Sequence, residues 1–251
     1  MIRLPRDAVM IWGRHAAEAV LANPRRQITG LYLSPDAAEW LAEQHLATTL
    51  PDPVMMDKSA LDQALAQTLA GEEKAVHQGI VIVARPLTPP DLETFLESPL
   101  GERPLVILLD QITDSRNIGA IMRSARAFGA AAIITTERHC PQENAMMLRA
   151  ASGAAEHIPL IRVTNLARAM ETLQDNGFVL AAMTARGDTP LSRLAEEDRL
   201  GLIMGAEGKG LRRLTLEHSD CHVSIDINPE AESLNVSTAA AIGLYAAGRR
   251  S

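Results

Sequence analysis

The chain has 251 residues, 47% of them apolar, and a net charge of −7, which describes a packed globular protein of one large or two modest domains rather than a disordered one. The acidic balance by itself argues against a nucleic-acid partner. Two cysteines, Cys140 and Cys221, without a CxxC pairing, exclude a disulfide framework or a zinc knuckle and suit a reducing cytoplasm, while no run approaches the ~18 apolar residues of a membrane span and the first residues do not read as a signal peptide.

Residues 1–85 read as a small α/β unit. Ala8 to Trp12 is expected as a strand, Arg14 to Leu21 as a helix, and Gln27 to Leu33 as an alternating strand. Pro35 to His45 and Lys58 to Leu69 read as helices, and Val76 to Val83 as a β-rich run. Two clusters here carry suggestive chemistry, Trp12-Gly13-Arg14-His15 and Ala75-Val76-His77-Gln78-Gly79. Neither has an acid or a nucleophile beside it, so His77 reads as a structural or RNA-contacting histidine. Residues 86–104 contain prolines at 86, 89, 90, 99 and 104, a density that prevents a long regular element. They read as a linker with one short helix near Asp91 to Leu96.

From residue 105 to 251 the pattern is βαβα. Leu105 to Asp110 is a continuous apolar run, as expected of a strand covered on both faces. A helix over Ile118 to Phe128 follows, with Asn117 as its cap and Gly129 past its end. Further strands are expected at Ala131 to Thr135, Phe178 to Met183, Leu200 to Met204 and His222 to Ile227. Helices are expected at Gln142 to Ser152, Asn165 to Asp175 and Val236 to Arg249. Five short strands with intervening helices imply an open parallel sheet in an α/β fold.

Polar or Gly-rich loops collect at the strand ends. Asp110 to Asn117 leads into the helix that bears Arg123. On that helix Ile118, Ile121, Met122, Ala125 and Phe128 form one apolar stripe, and Arg123 lies about 160° from its centre. Arg123 is therefore either a solvated surface arginine or a phosphate contact beyond a helix N-terminus that already favours anions. Gly205-Ala206-Glu207-Gly208-Lys209-Gly210 allows a tight turn and close backbone approach. It is no P-loop, because Lys209 is followed by Gly210, and Glu207 would repel a phosphate. Met183-Thr184-Ala185-Arg186-Gly187 is a third loop. Ser233-Leu234-Asn235-Val236-Ser237 is the fourth, where Ser and Asn suit a helix cap. It stands at the carboxyl end of a strand, where α/β proteins hold ligands. No catalytic triad order and no metal-ligand spacing is visible, so no metal is expected.

Three of these loops, in this order, resemble the signature motifs of the SpoU (TrmH) family of RNA ribose 2′-O-methyltransferases, part of the SPOUT superfamily. Asn117-Ile118-Gly119-Ala120 with Arg123 resembles the first motif, Gly205-Ala206-Glu207-Gly208 with Gly210-Leu211 the second, and Ile225 through Ser233-Leu234-Asn235-Val236-Ser237 the third. About 80 residues separate Arg123 from Gly205, and 28 separate Gly205 from Ser233. Ala151 to Glu156, Arg162 to Arg168, Gly13-Arg14-His15-Ala16 and Val76 to Ile80 extend the likeness over nearly the whole chain. They are similar to the bacterial enzymes that methylate a guanosine in the peptidyl-transferase P loop of 23S rRNA. The family usually has Ile-Pro-Met where this chain has Ile225-Asp226-Ile227, and many relatives have Pro-His where Ser115-Arg116 stands.

The resemblance implies a C-terminal SPOUT-type sheet threaded into a deep trefoil knot, an exception to the rule against knots. It implies an L30e-like RNA-binding domain before it and a cytoplasmic homodimer with the helices of the knot in the interface. S-adenosylmethionine is then the cofactor, held near Thr184, Gly205, Ile225, Ile227 and Leu234. The catalytic group would comprise Arg123, Asn117, Glu207, Asn235 and Ser233, with Arg123 acting on the ribose hydroxyl. The expected substrate is 23S rRNA or an assembly intermediate of it. Methylation of a tRNA ribose, or a non-catalytic role in RNA binding or ribosome assembly on the same fold, are the alternatives.

Overall fold

The computed structural model describes residues 2–44, 50–68, 76–228 and 230–248; His45, Leu69, Ala75, Pro229 and Arg249, which enter the expectations above, lie outside them. The chain folds into two units. One is Met1–Thr88 together with Glu143–Glu156, and the other is Pro89–Gln142 together with His157–Ser251.

The first unit is built on β1 (Val9–Trp12), α1 (Arg14–Ala22), β2 (Ile28–Leu33), α2 (Pro35–Ala42), β3 (Val54–Met55), α3 (Lys58–Thr68) and β4 (Ile80–Ala84). Among the described residues its sheet has four strands, in the order β1-β4-β2-β3. β4 is antiparallel to both neighbours. Its sequence, Ile-Val-Ile-Val-Ala, is buried throughout, as suits β-branched residues in a central strand. Val81 and Val83 pack with Leu61 and Leu65 of α3 and with Met10, Trp12 and Tyr32. Ser34 caps α2, accepting from the backbone N–H of Ala37, with Pro35 at the first helical position.

The second piece of this unit holds α6 (Ala145–Ala151) and a 3₁₀ turn at Ala154–Glu156. Contiguous division at residue 105 would place this segment in the C-terminal domain. The structure assigns it to the first unit because a buried charge cluster ties it there. Arg26, 1% exposed, donates from Nε to both Glu156 carboxylate oxygens at 3.1 Å, from Nη2 to Glu156 Oε1 at 2.5 Å and from Nη1 to Glu143 Oε1 at 2.6 Å. Asn23 adds a 2.8 Å bond to Glu156 Oε2. Gly153, at φ +84°, is needed for the close approach to α1, since a Cβ there would lie 2.8 Å from the Cβ of Ala19. Burial acts to lower the Arg26 guanidinium, but the Glu156 and Glu143 carboxylates outweigh it and hold the group above its usual value. Burial pushes the Glu143 carboxyl up, against the pull of Arg26.

The second unit begins with α4 (Leu92–Glu97), capped by Asp91 through the Thr94 N–H. Residues 86–104, expected as a linker with one short helix near Asp91 to Leu96, contain that helix, and it is anchored by two buried side chains. Leu92 and Phe95 are buried in the core with Val106, Leu108, Ile134 and Ile161. Then follow β5 (Leu105–Asp110), α5 (Ser115–Ala127), β6 (Ala132–Thr136), β7 (Leu160–Val163), α7 (Leu166–Asp175), β8 (Val179–Met183), β9 (Thr189–Pro190), β10 (Leu200–Gly205), α8 (Arg213–Glu217), β11 (Cys221–Ser224) and α9 (Val236–Gly248). The sheet has seven strands among the described residues, in the order β7-β6-β5-β10-β8-β11-β9, and every pair is parallel. The two strands beyond the expected five are β7, which carries Arg162, and the two-residue β9. Both are too short for a period-2 pattern to show. β11 ends at Ser224 rather than Ile227, because its partner β8 stops at Met183, opposite Val223.

The order reverses at β5. Strands β6 and β7 lie on one side of it, and β10 lies on the other. β10 is inserted between β5 and β8 although it follows β8 in the chain. One face of the sheet is covered by α4 and α7, whose Leu166, Ala169, Met170 and Leu173 enter the core. α5 and α9 pack against each other, α9 also lying on β10 and α5 on β6. Gly243 lets α9 come close, since a Cβ there would meet Leu202 at 2.8 Å.

The Arg26 cluster gives the first testable outcome. Arg26→Met leaves the buried Glu156 and the part-buried Glu143 carboxylates without their cation. We expect it to lower stability by roughly 3–5 kcal/mol at neutral pH, the range for removing one partner of a buried pair. Urea unfolding monitored by circular dichroism measures this; a loss below about 1 kcal/mol would mean the cluster does not hold the segment.

Candidate functional site

Parallel pairing brings the carboxyl ends of β5, β8, β10 and β11 to one edge of the sheet. Gly205 stands in register with Asp110, Ile203 with Ala182 and Val223 with Met183. Loops 111–114, 184–188, 206–212 and 225–235 therefore leave the sheet together, beside the place where strand order reverses. That is where open α/β sheets bind ligands.

Three polar side chains meet there, one from each of three loops or helix starts. Asn117 Nδ2 donates to Glu207 Oε1 at 3.2 Å. Asn235 Nδ2 donates to Glu207 Oε1 at 2.6 Å and to Asn117 Oδ1 at 3.1 Å. The backbone N–H of Val236, in the first turn of α9, donates to the same Glu207 oxygen at 3.2 Å. A carboxylate is well placed there, since the first N–H groups of a helix lack intrahelical acceptors and carry the positive end of its dipole.

The local geometry divides the duties of these residues. Asp114, not Asn117, caps α5, accepting from the N–H of Arg116. The helix thus begins three residues before the expected position. Asn117 falls inside its first turn, and its side chain is left to face Glu207. Asn235 does both jobs at the start of α9. Its Oδ1 accepts from the N–H of Ser237 at 2.9 Å and from the Ser237 hydroxyl at 2.6 Å, while its Nδ2 reaches across to the other two loops. A serine or aspartate at this position would cap equally well but has no amide to donate.

The Glu207 loop is a closed hairpin-like turn. Ala206 and Gly210 form a bridge, with Gly210 N donating to Ala206 O at 2.8 Å. Gly208 and Gly210 have φ of +76° and +66°, conformations that glycine adopts without strain. At Gly205 a Cβ would lie 2.5 Å from the carbonyl carbon of Gly210, so the neck of the loop admits only glycine. Asp110, fully buried, accepts from Arg212 Nε at 2.7 Å, from Arg212 N at 3.1 Å and from the Thr215 hydroxyl at 2.7 Å. Sequence reasoning missed this group. A carboxylate closing an otherwise apolar run was its one visible trace.

Thr184 lies on the neighbouring loop. Its N–H donates to Val223 O at 2.9 Å, and its Oγ1 is buried without a hydrogen-bond partner. A buried hydroxyl left unpaired costs about 1–3 kcal/mol, so it marks a place where a polar ligand atom would be welcome. Gly187 beside it runs against β11, a Cβ there falling 2.5 Å from the backbone of Val223. Ile225 and Leu234 are half-buried, while Ile227 and Ser233 are exposed. Arg123 is also exposed. It lies six residues, roughly 9 Å of helix rise, beyond Asn117, and no polar contact joins it or Ser233 to the trio. Among the described residues no group of three or more His, Cys, Asp or Glu side chains could hold a metal, and no helix is long and apolar enough to cross a membrane.

The model of the SpoU rRNA Methylase family matches residues 104–245. The chain is 39% identical over 245 residues to the 23S rRNA (guanosine-2′-O-)-methyltransferase RlmB of Photobacterium profundum, covering 96% of this chain and 97% of that protein. It is 36% identical over 247 residues to the protein of the same name from Escherichia coli strain K12, covering 96% and 98%. Among solved structures, the SpoU methyltransferase AviRb from Streptomyces viridochromogenes, in complex with AdoMet, is similar with a TM-score of 0.76 and 25% identity, over 97% of this chain and 90% of that one.

The trio can be probed by itself. Asn235→Ala loses the cap of α9 and should cost about 1 kcal/mol. Asn235→Asp keeps the capping oxygen but sets a second carboxylate against Glu207. It should lose at least a similar amount at pH 7, because the amide donor to Glu207 is gone and a like charge stands in its place. Thermal unfolding of both variants at pH 7, at low and at high salt, tests this: the Asn235→Asp loss should shrink as salt screens the two carboxylates, and a salt-independent loss would contradict the contact.

Proposed function

We propose, for a chain that belongs to the SpoU rRNA Methylase family, that it transfers a methyl group from S-adenosylmethionine to the ribose 2′-hydroxyl of a guanosine in 23S rRNA. The observation that carries this reading is the hydrogen-bonded trio of Asn117, Glu207 and Asn235. It joins the three motif-bearing segments at one edge of the sheet, in a chain similar over nearly its whole length to enzymes named for that reaction.

The loops fit the cofactor. Thr184 offers an unpaired buried hydroxyl. Gly187 and Gly205 bring backbone against backbone where no side chain has room, leaving carbonyl and N–H groups as the binding surface. Gly205, Ile225, Ile227, Leu234 and Thr184 are the residues we assign to hold it. When bound, S-adenosylmethionine supplies a methyl carbon activated by the adjoining sulfonium, which is released as a neutral thioether when the new carbon–oxygen bond forms. A neutral hydroxyl is a poor nucleophile, so its proton must be drawn away. Arg123 stays protonated and is no base. As a planar fork of donors it suits a phosphate group. We assign it to clamp the phosphate next to the target ribose and to polarise the 2′-oxygen, the proton passing to phosphate or water. Asn117, Glu207 and Asn235, held to one another by hydrogen bonds, are assigned to orient the ribose, and Ser233 to brace the loop.

Five further readings rest on family membership, the first three together with one structural feature each. The insertion of β10 between β5 and β8, and the loops that press on β11 and on the Glu207 neck, suit a deep trefoil knot. The first unit, with its sheet flanked by helices, suits an L30e-like RNA-binding domain. α9 is apolar nearly all round, with Tyr245 52% exposed, which suits a homodimer interface. A ribosomal substrate supports a cytoplasmic location, and the peptidyl-transferase P loop is the target we assign. Mapping 2′-O-methyl positions in total RNA from a deletion strain tests the target. Loss of one guanosine methylation in 23S rRNA is expected, and loss of a tRNA methylation instead would overturn it.

For the chemistry, Arg123→Ala should lower the methyl-transfer rate by roughly 10² or more, as for loss of a charge-stabilising group, while calorimetry still detects cofactor binding. Transfer of labelled methyl to an rRNA fragment measures it, and a near wild-type rate would remove Arg123 from the reaction.

A further inference from the structure

We infer that Asp110 is a positioning residue, setting where Glu207 and Asn117 stand relative to each other through its hold on Arg212 and Thr215. The inference rests on the reaction proposed above. Asp110 is the last residue of β5 and is paired in the sheet with Gly205, the residue from which the Glu207 loop departs. Its carboxylate takes the Nε and backbone N–H of Arg212 and the hydroxyl of Thr215, just past the point where that loop returns. One residue therefore fixes both ends of the segment 206–211. The loop has little freedom of its own, because its neck is closed by the contact of Gly205 with Gly210 and Leu211 and by the Ala206–Gly210 bridge. The position of the Glu207 carboxylate follows from that stem.

The same residue starts the path to the other partner. Directly after Asp110 the chain turns through Gln111 at φ +61°, reaches the Asp114 cap and enters α5, whose third residue is Asn117. Asn117 and Glu207 lie 90 positions apart in sequence, yet one segment leaves the sheet at Asp110 and the other at Gly205, its partner in the sheet. A fully buried carboxylate is costly, and well-packed apolar residues often serve stability as well as a buried ion pair does. What an apolar residue could not do is hold the exit of the loop in a single orientation.

The test uses Arg212, whose side chain is 43% exposed, so that its loss does not open the core. In the full-length protein, Arg212→Ala should lower kcat for methylation of a 23S rRNA fragment at least tenfold. KM for that RNA and Kd for S-adenosylmethionine should stay within threefold. Arg212→Lys, which can return a donor to Asp110, should restore kcat to within threefold of wild type. In a ¹H–¹⁵N correlation spectrum of Arg212→Ala without RNA, the Asn235 side-chain amide and the Gly208 and Gly210 N–H signals should shift or broaden. A rise in KM with kcat retained would make Arg212 an RNA contact and overturn the inference, as would wild-type kinetics, unchanged amide signals, or a parallel loss of cofactor binding. If the wild-type protein itself fails to methylate the RNA while those amides respond to Arg212→Ala, the proposed reaction falls and the positioning role stands.

Discussion

Everything at the candidate site depends on the placement of β10. A strand buried on both faces must satisfy its N–H and C=O groups on both edges, and β10 does so between β5 and β8. Once it is there, the end of β10 faces the end of β5, and the Glu207 loop opens beside the start of α5. β11 can then pair only on the outer edge of β8, which delivers the chain to α9 from the opposite side. The trio of Asn117, Glu207 and Asn235 is the local consequence of a backbone hydrogen-bond requirement. In a sheet ordered by sequence, β6, β7, β8 and β9 would stand between β5 and β10 and keep Asn117 from Glu207.

Charge is handled differently in the two units. The first unit buries Arg26 among carboxylates and Asn23, a cluster whose members come from two distant stretches of chain. The second unit buries Asp110 with a single arginine and a hydroxyl, at the rim of the sheet. Both satisfy the rule that a buried charge needs a partner and further hydrogen bonds. They differ in what they restrain. One fastens a segment to a core, and the other fastens a loop that carries an exposed carboxylate.

Much of this was legible in the sequence wherever the signal was local. The apolar stripe of α5 was visible from Ile118, Ile121, Met122 and Ala125, all buried, and so was the outward direction of Arg123. The motif residues Asn117, Glu207 and Asn235 were picked out as one group through the resemblance and not through any local pattern, and the structure brings them together, whereas it leaves Arg123 and Ser233 without a polar contact to them. What failed to show was of two kinds. Elements of two to four residues, such as β9 and β7, are too short to carry a period. Long-range pairs, such as Asp110 with Arg212 at 102 positions, leave no trace that spacing can reveal. The cap of α5 was missed for a third reason. Asp114 and Asn117 are both good caps, and choosing between them required knowing that Asn117 had another partner.

The two-piece composition of the first unit has a consequence in time. Glu156 lies 130 positions after Arg26, so during synthesis the guanidinium emerges well before the carboxylate that will neutralise it. At translation rates of about 5–20 residues per second the wait is roughly 7–26 s. For most of that interval, until Glu143 emerges 117 positions after Arg26, the nascent unit holds an arginine without a carboxylate partner and an uncovered face of α1, which only a chaperone, water or the ribosome itself can shield. The order in which this protein is made is thus at odds with the order in which its first unit is completed.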